Sequence, residues 1–161
     1  MLRVMFVCHG NICRSPMAEF IFKEMVKDRG LADKFVIASS ATSSEEICNG
    51  KGNSVYPPAV EELRKHGITC DGKRAVQLRT TDKDRYDMFI GMDTANIRNM
   101  RRILGNDIDC KIYKLLEFTN SGRDVADPWY SDRFDVAYSD IYSGCEALLG
   151  FIIREKLIYD A

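Results

Sequence analysis

The sequence predicts an α/β fold, a single-domain three-layer sandwich in which a four-stranded parallel sheet carries helices on both faces. Three observations point there. Short apolar runs alternate with amphipathic stretches of helical period from one end of the chain to the other. The 161 residues suffice for one domain with its own core, and no linker, internal repeat or low-complexity tract divides them, so residues 1–161 read as one unit. The composition, 45 % hydrophobic and 29 % charged, is that of an ordinary globular chain.

Leu2–Val7 is the first strand, apolar enough to be buried on both faces. Ala18, Ile21, Phe22, Met25 and Val26 then follow at i, i+3, i+4, i+7 and i+8, one helical stripe that ends before Gly30. Phe35–Ala38 is the second strand. Ala59–His66 is a helix, with Pro57-Pro58 ahead of it and Gly67 behind. Met88–Met92 is the third strand, and Ile97, Met100, Ile103 and Leu104 mark the helix after it. Lys111–Leu115 is the fourth strand. Phe134, Tyr138, Ile141, Cys145, Leu148, Leu149 and Ile152 keep helical spacing through Gly144 and Gly150, giving the longest helix. Two long loops, Ser39–Tyr56 and Leu116–Ser131, leave the carboxyl ends of strands, as does the turn after Cys8. Ligands of open α/β sheets gather at such ends.

Several classes of function are excluded at this level. A net charge of −1 does not suit a surface built for nucleic acid or an anionic membrane. Arg98, Arg101 and Arg102 follow helical spacing and read as a solvated helix face. The apolar N-terminal run is too short for a signal-peptide core, and no membrane span is expected. The six cysteines, at 8, 13, 48, 70, 110 and 145, form no C-x-x-C pair, and two histidines supply no zinc spacing, so no metal site is expected. Without a sequon or a disulfide pattern, a reduced, cytoplasmic chain is expected.

Chemistry concentrates in Cys8-His9-Gly10-Asn11-Ile12-Cys13-Arg14-Ser15. Cys-x5-Arg alone is a weak signal, but here a strand precedes the cysteine, and Ser15-Pro16 suits the cap and first turn of a helix. A chain turning from strand into helix can aim successive N–H groups at one point, an anion nest reinforced by the positive helix end. Arg14 adds a planar fork able to grip two phosphate oxygens, and Gly10 allows close backbone approach. Thiols in such settings are acidic, so Cys8 is expected as a thiolate able to attack phosphorus. Cys13 is either a packing residue or a redox partner for Cys8. His9 reads as a pocket wall rather than a proton donor, because Asp127-Pro128-Trp129-Tyr130 offers a carboxylate with a stiffened backbone and two flanking rings. Asp-Pro is also an ordinary turn.

Val7-Cys8, Gly10–Pro16, Leu63–Ile68, Met92-Asp93 and Asp127-Pro128 together resemble the low-molecular-weight protein tyrosine phosphatases almost end to end. The resemblance implies phosphate held by residues 9–15 (His9, Gly10, Asn11, Ile12, Cys13, Arg14 and Ser15). It implies Cys8 as nucleophile, Arg14 as transition-state binder, and Asp127 as general acid and then general base. Asn11, Ser15 and Ser39 would support the loop, Cys13 would form a protective disulfide with Cys8, and Trp129 and Tyr130 would wall the substrate. It further implies phosphotyrosine proteins or small aryl phosphates as substrates, inorganic phosphate as product, no cofactor, and a monomer. A thioredoxin-coupled arsenate reductase shares that fold and loop, but its relay needs two further, closely spaced cysteines. This chain departs from the family at His9, usually aliphatic, and at Lys73, usually a bracing histidine. Glu45 and Glu46 stand in a loop that often holds an aromatic residue, and Ile47–Tyr56 reads as an insertion. If that loop folds as in the family, both carboxylates project toward the pocket mouth. Asn49-Gly50-Lys51-Gly52 lacks the spacing of a nucleotide loop and reads as a flexible loop.

Overall fold

The computed structural model describes residues 1–158. β1 (Leu2–Cys8) lies inside a four-stranded parallel sheet of order β2-β1-β5-β6, with β2 (Phe35–Ala41), β5 (Met88–Gly91) and β6 (Ile112–Lys114). Because side chains alternate across a strand, β1 feeds two cores. Val4, Phe6 and Cys8 join the larger one, built with α1 (Arg14–Asp28), α2 (Pro57–Lys65) and the last helix, α5 (Phe134–Arg154). Met5 and Val7 join Phe89, Met100 and Leu104 beneath α3 (Thr94–Leu104) on the other face. Each such side chain contributes about 1.5–3 kcal/mol on burial, which is why the continuous apolar run of β1 specifies the centre of a three-layer sandwich.

The expected elements are all present, with shifted ends. β1 runs one residue further than expected, to Cys8. β2 runs three further, so Ser39 is a strand residue opposite Phe6 rather than the start of a loop. Pro57 and Pro58 fall inside the first turn of α2, where a missing N–H costs nothing. Lys111 and Leu115 belong to flanking 3-10 turns, leaving β6 only three residues long. Arg98, Arg101 and Arg102 are exposed on α3, as expected for a solvated face.

One expectation is overturned. Asn49-Gly50 is no flexible loop: Asn49 (φ 51°) and Gly50 (φ 76°) are both left-handed, and they join β3 (Ile47–Cys48) to β4 (Lys51–Gly52) in an antiparallel hairpin. The hairpin is bound to the body where Ala75 N donates to Asn53 O (2.9 Å) and Arg74 Nη1 to Gly52 O (2.9 Å). A Cβ on Gly52 would lie 1.9 Å from Ala75 O, so only glycine allows this approach. In addition, α5, with 21 residues, is long and apolar enough by length and composition to cross a membrane. Its apolar positions are nonetheless used in packing: Ile141, Cys145, Leu148, Leu149 and Ile152 are buried, and Gly144 admits Leu115 against the helix axis.

Candidate active site

Three chain segments converge at the carboxyl end of the sheet. They line a cleft of about 360 Å³ containing Cys8, His9, Gly10, Ile12, Cys13 and Arg14 from the first segment, Glu45 and Glu46 from the second, and Asp127, Trp129 and Tyr130 from the third. A larger cleft, about 590 Å³, lies between α1, α5 and His66. Carboxylates, Arg29, His66 and the rings of Tyr138 and Tyr142 line it, with His66 stacked on Tyr138 at 3.7 Å between ring centroids. Its lining holds no cysteine, serine or threonine, whereas the smaller cleft gathers a thiol, a guanidinium and a carboxylate.

Cys8 ends β1 and is almost fully buried at the cleft floor. Asn11, left-handed at φ 58°, turns the chain back so that its own N–H points at Cys8 Sγ (3.3 Å). The amide of Ser15 does the same from the first turn of α1 (3.4 Å). The helix has no side-chain cap and Pro16 carries no amide N–H, so the first turn is left with few amides to satisfy, and that of Ser15 is turned to the sulfur. Ser15, expected as the cap, lies inside the first turn, and its hydroxyl meets Cys8 Sγ at 3.0 Å. Asn11 Nδ2 donates to both Ser15 Oγ (2.8 Å) and Ser39 Oγ (3.0 Å), while Asn11 Oδ1 accepts from Val76 N (3.0 Å). All polar atoms of a fully buried amide are thereby satisfied, and the three expected loop supports form one connected group.

Behind this group lie Glu19, which was not singled out from the sequence, and Lys73, noted there in the place of a bracing histidine. Ser39 Oγ donates to Glu19 Oε1 (2.6 Å), and Glu19, buried on α1, also meets Lys73 Nζ (3.5 Å) and Lys23. Lys73 in turn donates to Ser39 O (3.0 Å). Burial pulls the Lys73 ammonium below its ordinary pKa, and Glu19 opposes that shift. Glu19 shows in the sequence only as one end of a Glu-x-x-x-Lys pair, the pattern of an exposed helix face.

Arg14 is 3 % exposed, and its Nη1 is committed to Asp93 Oδ2 (2.8 Å) and Val125 O (2.8 Å). Nη2 lies 3.4 Å from Asp127 Oδ2. Burial opposes the guanidinium charge, but Cys8, Asp127 and Asp93 outweigh it and hold the pKa above its ordinary value. Asp93 figured in the sequence only within the resemblance and with no role of its own, and an Asp before Thr94-Ala95-Asn96 has the pattern of an N-cap. It is one, accepting from Asn96 N through Oδ1 (2.8 Å), and its second oxygen aims Arg14. Asp127 caps the short helix α4 (Pro128–Ser131), with Oδ1 accepting from Trp129 N (3.0 Å).

At the rim, His9 Nε2 meets Glu45 Oε2 (3.0 Å) and Asn53 Nδ2 donates to Glu46 Oε2 (2.7 Å), so both expected carboxylates border the cleft, each with a partner. A Cβ on Gly10 would come within 3.2 Å of Glu46 Cγ, which makes the rim itself the neighbour Gly10 accommodates. Cys13 is buried, and burial first, then the charges of Cys8 and Asp127, push its thiol up to about 12. At neutral pH it is a protonated neighbour of Cys8.

A buried sulfur ringed by hydrogen-bond donors, a fixed guanidinium beside it and a carboxylate on the cleft wall can accept an oxyanion group onto sulfur and pass a proton to or from its leaving oxygen. Comparison with known proteins agrees. Residues 3–158 match the family described as low molecular weight phosphotyrosine protein phosphatase. The chain is 39 % identical over 158 residues to the low molecular weight protein-tyrosine-phosphatase YfkJ of Bacillus subtilis, covering 97 % of this chain and 99 % of that protein. It is 36 % identical over 156 residues to the Staphylococcus aureus protein-tyrosine-phosphatase PtpA, covering 96 % of each. The crystal structure of YfkJ superposes with a TM-score of 0.91 at 38 % identity over 97 % of both chains. That of the Streptococcus pyogenes enzyme SP-PTP gives 0.83 at 37 % identity, over 94 % of this chain and 93 % of that one.

Proposed function

Because the chain belongs to the low molecular weight phosphotyrosine protein phosphatase family and is a cysteine-based tyrosine phosphatase, we propose a role for each residue of its cleft. The observation that carries the proposal is the convergence of Ser15 Oγ and the Asn11 and Ser15 amides on Cys8 Sγ, with Arg14 and Asp127 in the same cleft. Cys8, as the thiolate, attacks phosphorus in line. The bond from phosphorus to the phenolic oxygen breaks, and that oxygen takes the proton of Asp127, leaving a phosphocysteine. Water then gives a proton to the Asp127 carboxylate as its oxygen attacks phosphorus. The S–P bond breaks, inorganic phosphate departs, and the thiolate returns to the Ser15 hydroxyl. Arg14 and the loop amides hold the equatorial oxygens, supplying the positive charge that other phosphoryl-transfer enzymes take from metal ions. In the same reading the substrates are phosphotyrosine proteins or small aryl phosphates. The enzyme is a metal-independent monomer of the cytoplasm, a compartment in keeping with its six free cysteines.

Cys8→Ser is expected to abolish turnover while still binding phosphate or vanadate. Asp127→Ala is expected to cost about 10²–10⁴ in rate on poor leaving groups and less on activated phenols. Steady-state assays with phosphotyrosine and p-nitrophenyl phosphate check both, and an Asp127→Ala variant as active as wild type on phosphotyrosine would remove that residue from the mechanism.

Cys13 we assign a redox role. Peroxide converts Cys8–S⁻ to Cys8–SOH with release of hydroxide, and condensation with the Cys13 thiol then forms a disulfide and water. The Cys8 charge that helps keep Cys13 protonated disappears at the first step. Wild type is expected to regain activity with a dithiol after peroxide, and Cys13→Ser to lose that recovery through overoxidation. Equal recovery leaves Cys13 a packing residue.

Glu45 and Glu46 we assign to selectivity. Their charges act over about 8 Å at physiological ionic strength, far enough to reach residues flanking the phosphotyrosine. Peptides with Lys or Arg beside the phosphotyrosine are expected to have the higher kcat/KM, with a preference that weakens as salt rises. The Glu45→Gln/Glu46→Gln double variant is expected to lose it. An unchanged ratio of basic- to acidic-flanked peptides excludes the rim charge.

A further inference from the structure

We propose that Tyr56, at the end of the hairpin insertion, is a positioning residue for proton transfer, holding the segment that carries Asp127 against the phosphate loop through its ring. This rests on the reading of Asp127 as the general acid. The segment is lightly held. Between Val125, whose N donates to Met92 O (2.9 Å), and Phe134 at the start of α5, Pro128 alone is buried, and α4 is a single turn. Asp127 Oδ2 reaches Arg14 only at 3.4 Å. On this stretch Trp129 is the large side chain with an aromatic neighbour: its ring centroid lies 4.8 Å from that of Tyr56, tilted by 52°, and Tyr56 lies 6.0 Å from Phe134. The backbone N–H of Trp129 is in turn hydrogen-bonded to the Asp127 carboxylate, so a displacement of the turn that carries the indole moves the acid with it.

Tyr56 is itself anchored to the other half of the cleft. Its N–H donates to Ile12 O (2.8 Å), inside the phosphate loop, and its carbonyl accepts from Ala59 N (2.9 Å) and Val60 N (3.1 Å) at the start of α2. One residue thus spans from the loop that holds phosphate to the loop that holds the proton. Trp129 remains 53 % exposed, leaving indole surface for a substrate ring while Tyr56 occupies another part of it. An aromatic contact of this kind biases a loop between held and released positions by between about 2- and 10-fold.

The test is the leaving-group dependence of kcat/KM, since a proton donor matters most when the departing phenoxide is basic. Phenyl phosphate and p-nitrophenyl phosphate are compared in wild type, Tyr56→Phe, Tyr56→Leu, Tyr56→Ala and Asp127→Ala, with the vanadate inhibition constant measured for each. Tyr56→Leu and Tyr56→Ala are expected to lose about 2- to 10-fold more on phenyl phosphate than on p-nitrophenyl phosphate, with vanadate inhibition unchanged. Tyr56→Phe keeps the ring and is expected to behave as wild type. Tyr56→Leu fills the site without a ring and gives the answer even if Tyr56→Ala does not fold. Equal losses on both substrates, no loss, or weakened vanadate binding in parallel with the loss would each overturn the proposal. If Asp127→Ala itself shows no added leaving-group dependence, the acid assignment fails and the positioning role with it. If Asp127→Ala shows it and the Tyr56 variants do not, only the positioning role fails.

Discussion

The cleft depends on the direction of one hydrogen bond, from the Ser15 hydroxyl to the Cys8 sulfur, and that direction is set well away from it. Glu19, as a carboxylate between Lys73 and Lys23, can only accept, so Ser39 must spend its proton on Glu19. Ser39 Oγ then accepts from Asn11, whose oxygen is fixed by the N–H of Val76. The second N–H of the Asn11 amide goes to Ser15 Oγ, and the Ser15 proton is left for the sulfur. Turning the Asn11 amide or the Ser39 hydroxyl would set two donors or two acceptors against each other. A Cys8 thiol donating to Ser15 Oγ would leave the Ser15 proton without another partner. Each costs about 1–3 kcal/mol in a buried place. The network therefore favours a sulfur that accepts, which is the form a nucleophile needs.

Architecture makes that network possible. β1 delivers Cys8 and β2 delivers Ser39 to the same end of the sheet, because parallel pairing sets Phe6 against Ser39 and Cys8 against Ala41. α1 starts directly after the loop, so Ser15 meets Cys8 while Glu19, one turn on, meets Ser39 of β2. Two residues beyond the end of β5, Asp93 caps α3 with one oxygen and orients Arg14 with the other. The Arg14 guanidinium is thus held in place by Asp93 and Val125 O, the preorganisation that the proposed role in phosphate binding requires.

Much of this was legible in the sequence. The strand–helix alternation, the loop from Cys8 to Ser15 and the resemblance it carries were all found in the structure, because local periodicity and a contiguous motif record them. What was missed depends on distance along the chain or on double duty. Glu19 looks like half of a surface pair with Lys23 until burial against β2 is known. Asp93 looks like an ordinary cap. Tyr56 and Trp129 carry no sign in the sequence that their rings meet. Asn49-Gly50 was a readable hairpin signal, passed over because the flanking strands are only two residues each. The membrane-length apolarity of α5 is explained only by what packs on it.

Rapid-quench mapping of phosphorus in the working enzyme tests the central claim most directly. Enzyme mixed with excess aryl phosphate and stopped within the first turnover is expected to carry one phosphoryl group per chain at most, on the peptide containing Cys8. It should be bonded to sulfur and absent from Cys8→Ser. A first turnover that releases phenol with no phosphoenzyme, or phosphorus recovered on any residue other than Cys8, would contradict it.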